Sequence, residues 1–576
     1  MIFLPSDQKK LLPVALGIID ECRSSQGMRA AYYRTLNAIC ETGRQDGSRS
    51  LINKLHAHID RLSAHLFSPT DLRFVVDFEN QYPPNILAMG SEASRILTRD
   101  FERNNTDMTF AQGVFESLKL GATFLKQWVQ QEGPDRVPTY HKSLVMPWQF
   151  GVYREDVNEL SRQPAMCETI MLTMPEVWSR IAHLPDAQKL YSRIKANATQ
   201  GQAGSDYNSF FHQVLSSATL ATGVTGSTKP MPGGIVGLGS DPNAAMIGPE
   251  VSAPMVKMHE LWVQDRDDYT TIQIIEPDIL IAPLFKKCNL LIPGETHSGL
   301  HPYTLIQPNE VAGYIWGRSE LSDLIEPQAL LSEWADDARR LFGLQIDKLL
   351  GFSGYDGISD EVYDASRAAG YFSAPPGASM QDLTPPFPPM TLDMLNFVMR
   401  IIDNLGGFDN ILGGGGEPGV RAGNHAETLM KTASPRLRDR SLLVERQCAA
   451  AADLRLSLME AKDGRSYWTD GSTMEAIEKT SFIMADLPED RRVCVDSHSG
   501  SPIFADDHQQ LVGFGVKSGF VDGHSAIDML PYPQKDQLQA RLKAKQQAEQ
   551  KMLEELKKSD PEAYAKAITH GGKSHH

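Results

Sequence analysis

Residues 385–407 read Pro-Pro-Phe-Pro-Pro-Met-Thr-Leu-Asp-Met-Leu-Asn-Phe-Val-Met-Arg-Ile-Ile-Asp-Asn-Leu-Gly-Gly. Four prolines in five positions forbid a helix interior, because each removes a backbone donor and clashes with the preceding turn. A helix starts after them: Thr391 is a plausible N-cap, Asp393 lies in the first turn, and apolar side chains at Leu392, Leu395, Val398, Met399, Ile402 and Leu405 recur on one side. Gly406-Gly407 ends it. Upstream, a run opening at Trp316-Gly317-Arg318-Ser319 carries Leu330, Leu331, Trp334, Ala338, Leu341, Phe342, Ile346, Leu349 and Leu350. This spacing predicts a second one-sided helix, roughly 30 Å long at about 1.5 Å per residue. Gly351 to Met390, between the two arms, is dense in Gly, Ser, Asp and Pro and predicts an irregular or strand-containing tip.

Beyond the second arm, Gly413, Gly414, Gly415 and Gly416 stand together with Gly419, bracketed by Asn410, Glu417 and Arg421. Such a tetrad has too much conformational freedom to hold a shape without outside contacts. Asn424 to Ala461 is then nearly all helix-forming, with Pro435 inside it, so a kink near Thr432 is expected.

The remaining chain reads as a mixed α+β fold, predominantly helical. Leu51, Leu55, Ile59, Leu62 and Leu66 predict a helix from Ser50 to Ser68-Pro69; another follows from Glu92 to Phe101, and a third from Thr109 to Gln130 with Gly121 packed closely inside it. His56, His58 and His65 on the first helix invite a metal reading, but His56 and His58, two apart, face different sides. Short strands are predicted over Ser143 to Tyr153 and Glu168 to Leu172, before a helix at Pro175-Glu176-Val177-Trp178. Gln200 to Pro254, rich in Gly, Ser, Thr and Pro, reads as a surface insertion. Strands follow over Met255–Val263, Thr270–Ile275, Ile279–Phe285 and Asn289–Ile292. A short helix is expected over Met474–Met484, another around Asp507–Lys517, and a solvated one over Gln534–Lys558.

Composition limits the function classes. With 576 residues, 41% hydrophobic and 22% charged, the chain is globular and long enough for several domains. A net charge of -16 argues against gripping nucleic acid, which needs Lys and Arg to displace counterions, but not against letting it slide past. Cys22, Cys40, Cys167, Cys288, Cys448 and Cys494 lie far apart without a C-x-x-C pair, so their spacing indicates neither a zinc site nor a disulfide framework. No export signal and no membrane span are expected.

Enzyme motifs fail on inspection. Gly572-Lys573-Ser574 imitates a P-loop ending, but Ala567 stands where its first glycine belongs. Gly233 to Gly239 is flanked by prolines where a dinucleotide site needs a strand and a helix. Gly523-His524-Ser525-Ala526-Ile527 lacks a glycine of the nucleophile elbow, and Asp496-Ser497-His498 places triad residue types side by side where they cannot converge. Asp506-Asp507-His508 reads as helix-start charge. No catalytic residue, cofactor or metal is expected.

Two stretches carry a resemblance: His301-Pro302-Tyr303 to Gly317-Arg318-Ser319 leading into Gln328, and the glycine loop leading through Arg421-Ala422 and Glu427 into a long helix. In this order and spacing the chain resembles the portal proteins of tailed bacteriophages, and the resemblance covers most of it. The resemblance implies a wing over 1–325 with a flexible insertion at 200–254, a first stem helix over 326–350, a clip over 351–390 and a second stem helix over 391–407. A tunnel loop over 408–423, a kinked wing helix over 424–462, and a crown with C-terminal helix over 463–576 would complete the portal fold.

The same resemblance implies a ring-shaped homo-oligomer, twelve-fold in the family, at one capsid vertex of the virion. It would be assembled in the host cytoplasm with capsid and scaffolding proteins. Double-stranded DNA would pass through the channel, without sequence specificity, during packaging and ejection. Terminase and then a head-to-tail adaptor would dock on the clip. Asn410, Gly413, Gly414, Gly415, Gly416, Glu417 and Arg421 would face DNA, and Trp334, Leu341, Leu395 and Ile402 would pack the stem. The alternative is a monomeric cytoplasmic enzyme or helical scaffold protein.

Overall fold

Gly121 decides where the third predicted helix stops. Its φ of +103° lies in the region open to glycine, and a Cβ there would stand 2.6 Å from the Trp316 carbonyl oxygen. The helix therefore closes at Leu120, and Thr123–Gln130 leaves as a strand. This corrects the reading of Thr109–Gln130 as one helix: Phe124, Leu125 and Trp128 belong to a β-ladder, for which aromatic and β-branched side chains are well suited.

The computed structural model describes residues within 2–200, 255–282, 301–353, 376–406, 435–469, 481–496 and 512–518, apart from short breaks of which the longest is 131–137. In chain order the elements begin α1 (Gln8–Arg23), α2 (Gln26–Thr42), α3 (Leu55–Leu66), β1 (Phe74–Phe78), α4 (Pro84–Arg103), α5 (Thr106–Leu120) and β2 (Thr123–Gln130). They continue through β3 (Thr139–Val145), β4 (Phe150–Val152), β5 (Ala165–Thr173), α6 (Met174–Ile181), α7 (Ala187–Gln200), β6 (Met255–Asp265), β7 (Asp268–Ile275), β8 (Ile279–Ala282) and β9 (Tyr303–Ile306). Then come α8 (Ile325–Ile346), β10 (Leu350–Ser353), β11 (Ser379–Asp382), α9 (Thr391–Leu405), α10 (Pro435–Lys462), β12 (Tyr467–Trp468), β13 (Ser481–Phe482) and β14 (Arg491–Val495). Among the described residues the fold is mixed α and β, with helix well ahead of strand.

The chain divides into two units, one of Met1–Ser63, Gln112–Arg436 and Ser457–Asp463, the other of Ala64–Ala111, Leu437–Leu456 and Gly464–His576. The first is built on a five-stranded antiparallel sheet ordered β4-β5-β6-β7-β8. Strand periodicity divides its side chains between two faces. Ala165, Cys167, Leu261, Val263, Ile272 and Ile274 meet Leu11, Ala15, Ile18, Ile19 and Cys22 of α1, an element missed in the sequence. On the other face, toward one end of the sheet, Leu172, Val256, Met258 and Ile275 are covered by Val177, Ile181 and Ile194 of α6 and α7. Each large aliphatic side chain so buried contributes about 1.5–3 kcal/mol.

That second face is polar at its centre. Glu168 and Glu260 are cross-strand partners, and like charges directly opposite repel. Lys126, from the three-stranded sheet β3-β2-β9, resolves the conflict by reaching Glu168 at 2.6 Å and Glu260 at 2.8 Å. Tyr303 donates to Glu168 at 2.8 Å, while Trp262 and Gln273 donate to Glu260 at 3.0 and 3.2 Å. Burial alone would lower the Lys126 pKa, but the two carboxylates overcome it and push it to about 12. Glu260 is held below the usual carboxylate range, burial being outweighed by Lys126 and the hydrogen bonds.

In the second unit β1 pairs with β14. On β1, the Phe74 and Val76 amides donate to Thr98 Oγ1 and Ser94 Oγ of α4, so helix hydroxyls satisfy strand donors. Gly90 lets α4 approach: a Cβ would lie 2.6 Å from the Phe78 ring. Arg455 of α10 is fully buried, 3.6 Å from Asp100 and donating to Thr106 at 3.2 Å.

Several expectations shift. The helix from Ser50 begins instead at Leu55, because Asn53 Oδ1 accepts from the Leu55 amide, leaving Leu51 exposed. The one from Glu92 starts earlier, at Pro84. The first arm ends at Ile346, and Leu350 belongs to β10, paired with β11, so the tip contains strands. Pro435 stands at the first residue of α10, where its missing donor costs nothing; the expected kink near Thr432 lies outside the described residues. Of the helix expected over Met474–Met484, 474–480 lie outside the described residues, Ser481–Phe482 is a strand with Phe482 packing on Tyr467 across the ladder, and Met484 opens a 3-10 turn that runs to Asp486. Of the insertion at 200–254, Gln200 closes α7 and 201–254 fall outside the described residues, as do the strand over 289–292 and 534–558; of the helix around Asp507–Lys517 only 512–517 is described, as helix.

Candidate assembly interface

The two helices that organise the sequence lie side by side in the first unit. On α8 the buried positions are Gln328, Leu331, Ser332, Ala335 and Ala338, spaced by threes and fours. On α9 they are Leu395, Val398 and Ile402. The start of α8 and the end of α9 share one anchor, so the helices are antiparallel.

That anchor is the segment following α2. Arg44 donates to Asp336 and to the Ser332 carbonyl, and Ser50 Oγ meets Ser332 Oγ at 2.8 Å. Gln328 donates to the Ile52 carbonyl at 2.7 Å and accepts from the Lys54 amide at 3.2 Å. The Lys54 ammonium then crosses to α9, binding both Asp403 oxygens at 2.6 and 2.7 Å and the Met399 carbonyl at 3.3 Å. Gly406, just past α9, lies against His58, whose ring a Cβ would meet at 2.2 Å. Residues 44–58 thus tie the base of both helices to one frame.

Away from the base the pairing is incomplete. Trp334, Asp337, Ala338 and Leu341 of α8 and Met394 of α9 line a groove of about 180 Å³. The same two helices carry exposed apolar side chains, among them Phe342, Leu344, Ile346, Leu392 and Phe397, with Ile346 76% and Phe397 59% accessible. Isolated exposed apolar residues are ordinary; a group on two adjacent helices makes this pair a candidate association surface.

The sequence-derived packing residues separate into two roles. Leu395 and Ile402 are buried, and Trp334 and Leu341 line the open groove. Asn410, Gly413, Gly414, Gly415, Gly416, Glu417 and Arg421 lie outside the described residues, as do the motifs at 523–527 and 572–574. The tie that Gln328, Lys54 and Asp403 make was not legible in the sequence, because partners 274 and 349 positions apart leave no local pattern. No helix among the described residues is long and apolar enough to cross a membrane. A comparison of the chain with family models and with curated proteins finds no match.

Proposed function

We propose that this chain is the subunit of a tailed-bacteriophage portal, a ring at one capsid vertex through which DNA is packaged and ejected. The carrying observation is the antiparallel pair α8 and α9, joined through a β-paired tip and presenting an apolar groove with exposed Phe342, Ile346 and Phe397. Helices of this kind complete their burial by packing against equivalent helices of neighbouring copies, and a closed ring does so without leaving an unmatched surface. The acidic balance of -16 supports a conduit, because a wall rich in phosphate contacts would arrest moving DNA. In this reading the tip docks terminase and later the head-to-tail adaptor, as exposed segments on a rigid scaffold are suited to do. The glycine run would lie along DNA. Capsid and scaffolding proteins would surround the ring during assembly.

Electron microscopy of the purified chain tests the reading: rings with a central hole support it, and compact single particles overturn it. Trp334→Asp should abolish those rings, since a carboxylate placed in an apolar contact costs several kcal/mol. Normal rings with unchanged melting would remove α8 from the interface. Replacing Gly413, Gly414, Gly415 and Gly416 by alanine should leave rings intact and lower DNA packaging. Wild-type packaging by that variant would separate the loop from DNA handling.

A further inference from the structure

Three different ligand atoms converge where α2 gives way to α3. Cys40 Sγ, a Glu41 carboxylate oxygen and a His56 ring nitrogen all lie within 4.8 Å of one another. The sequence hid this group, because Cys40 and His56 are separated by a segment with no metal-site spacing. We propose that Cys40, Glu41 and His56 hold one divalent transition-metal ion of the zinc type. Thiolate, imidazole and carboxylate are the donor set such an ion takes, at about 2.0–2.3 Å in tetrahedral geometry, which separates ligand atoms by roughly 3.5 Å. Closing the remaining distance falls to Glu41 and His56, whose side chains are 27% and 52% accessible, while Cys40 is held in the core. Their mutual distance of 4.0 Å exceeds a hydrogen bond, so neither is fixed by the other.

The frame behind the ligands is ordered. Asn53 donates to the Cys40 carbonyl at 2.8 Å and accepts from the Leu55 amide at 3.0 Å, so one side chain ties the backbone of Cys40 to the start of the helix carrying His56. A thiolate and a carboxylate neutralise a dication, and the accessible side of Glu41 and His56 leaves the fourth position to water. The ion would close the loop of residues 43–54, whose Arg44, Ser50 and Lys54 grip α8 and α9, and so staple the base of the helical pair. This site does not depend on the portal reading.

The test uses the full chain, stripped of metal, with His570, His575 and His576 replaced by alanine to remove competing ligands from the terminal segment. Zinc titrated against a chromophoric chelator should bind at one equivalent and raise Tm, and cobalt should give a thiolate charge-transfer band. His56→Ala and Glu41→Gln, both at accessible positions, should weaken zinc by more than about tenfold, a scale even outer-shell partners reach. Cys40→Ala should erase the cobalt band. Unchanged affinity in His56→Ala, a cobalt complex without that band, or no binding at micromolar zinc would overturn the site.

Discussion

The five-stranded sheet and the helical pair α8–α9 solve the same burial problem to different extents. The sheet leaves Leu261, Val263, Ile272 and Ile274 inaccessible under α1 and covers its buried carboxylate pair with Lys126. The helical pair buries Leu331, Ala335, Val398 and Ile402 but leaves Phe342, Ile346, Leu392 and Phe397 to solvent. A strand shares its two faces with neighbouring layers of the same chain, whereas a helix in a two-helix arm can cover only the side that faces its partner. The sheet is covered within the chain; the arm leaves apolar side chains accessible.

The largest break expected is at the ionic cluster. Lys126→Met removes one partner of two buried carboxylates and should cost about 3–5 kcal/mol, seen as a lower denaturant midpoint. Glu260, held below its ordinary carboxylate range, contributes stability that is full above pH about 4.5 and is lost as pH falls through its lowered folded pKa. Lys126, raised to about 12, contributes fully below its ordinary value near 10.5 and loses that contribution as pH rises through about 12. Unfolding of wild type and Lys126→Met across pH checks both arms; identical acid limbs would remove the Glu260 assignment.

A smaller loss follows at the turn that delivers β2 to this cluster. Gly121→Ala forces a side chain into positive φ and against the Trp316 carbonyl, at a cost of about 1–3 kcal/mol in thermal melts. Phe397→Asp sharpens the contrast from the other side. Its side chain is exposed, so the isolated chain should change by no more than about 0.5 kcal/mol, while sedimentation should show association lost. A loss of monomer stability instead would mean that the arm is already complete within one chain. A modest loss of stability with association unchanged is expected of Lys54→Ala, whose partly exposed pair with Asp403 is worth about 0.2–1 kcal/mol.

The sequence by itself determined the parts that depend on neighbours in the chain. Four prolines and Gly406-Gly407 bounded α9, since both residue types act on the backbone locally. The 3.6-residue period placed α8, and alternation placed β5, β6 and β7. Local pattern failed where distant groups decide. Apolar periodicity alone could not tell that Thr123–Gln130 leaves the helix, because the reason is the Trp316 carbonyl packed on Gly121. Leu350 joined a strand because Asp382 pairs with it.

Only the tertiary structure made a charge cluster of Lys126, Glu168 and Glu260, and a ligand group of Cys40, Glu41 and His56. Composition counts such residues but carries no distance between them. Coulomb energy and coordination depend on separations of a few ångströms, and those are set by how strands and helices far apart in sequence are laid against each other.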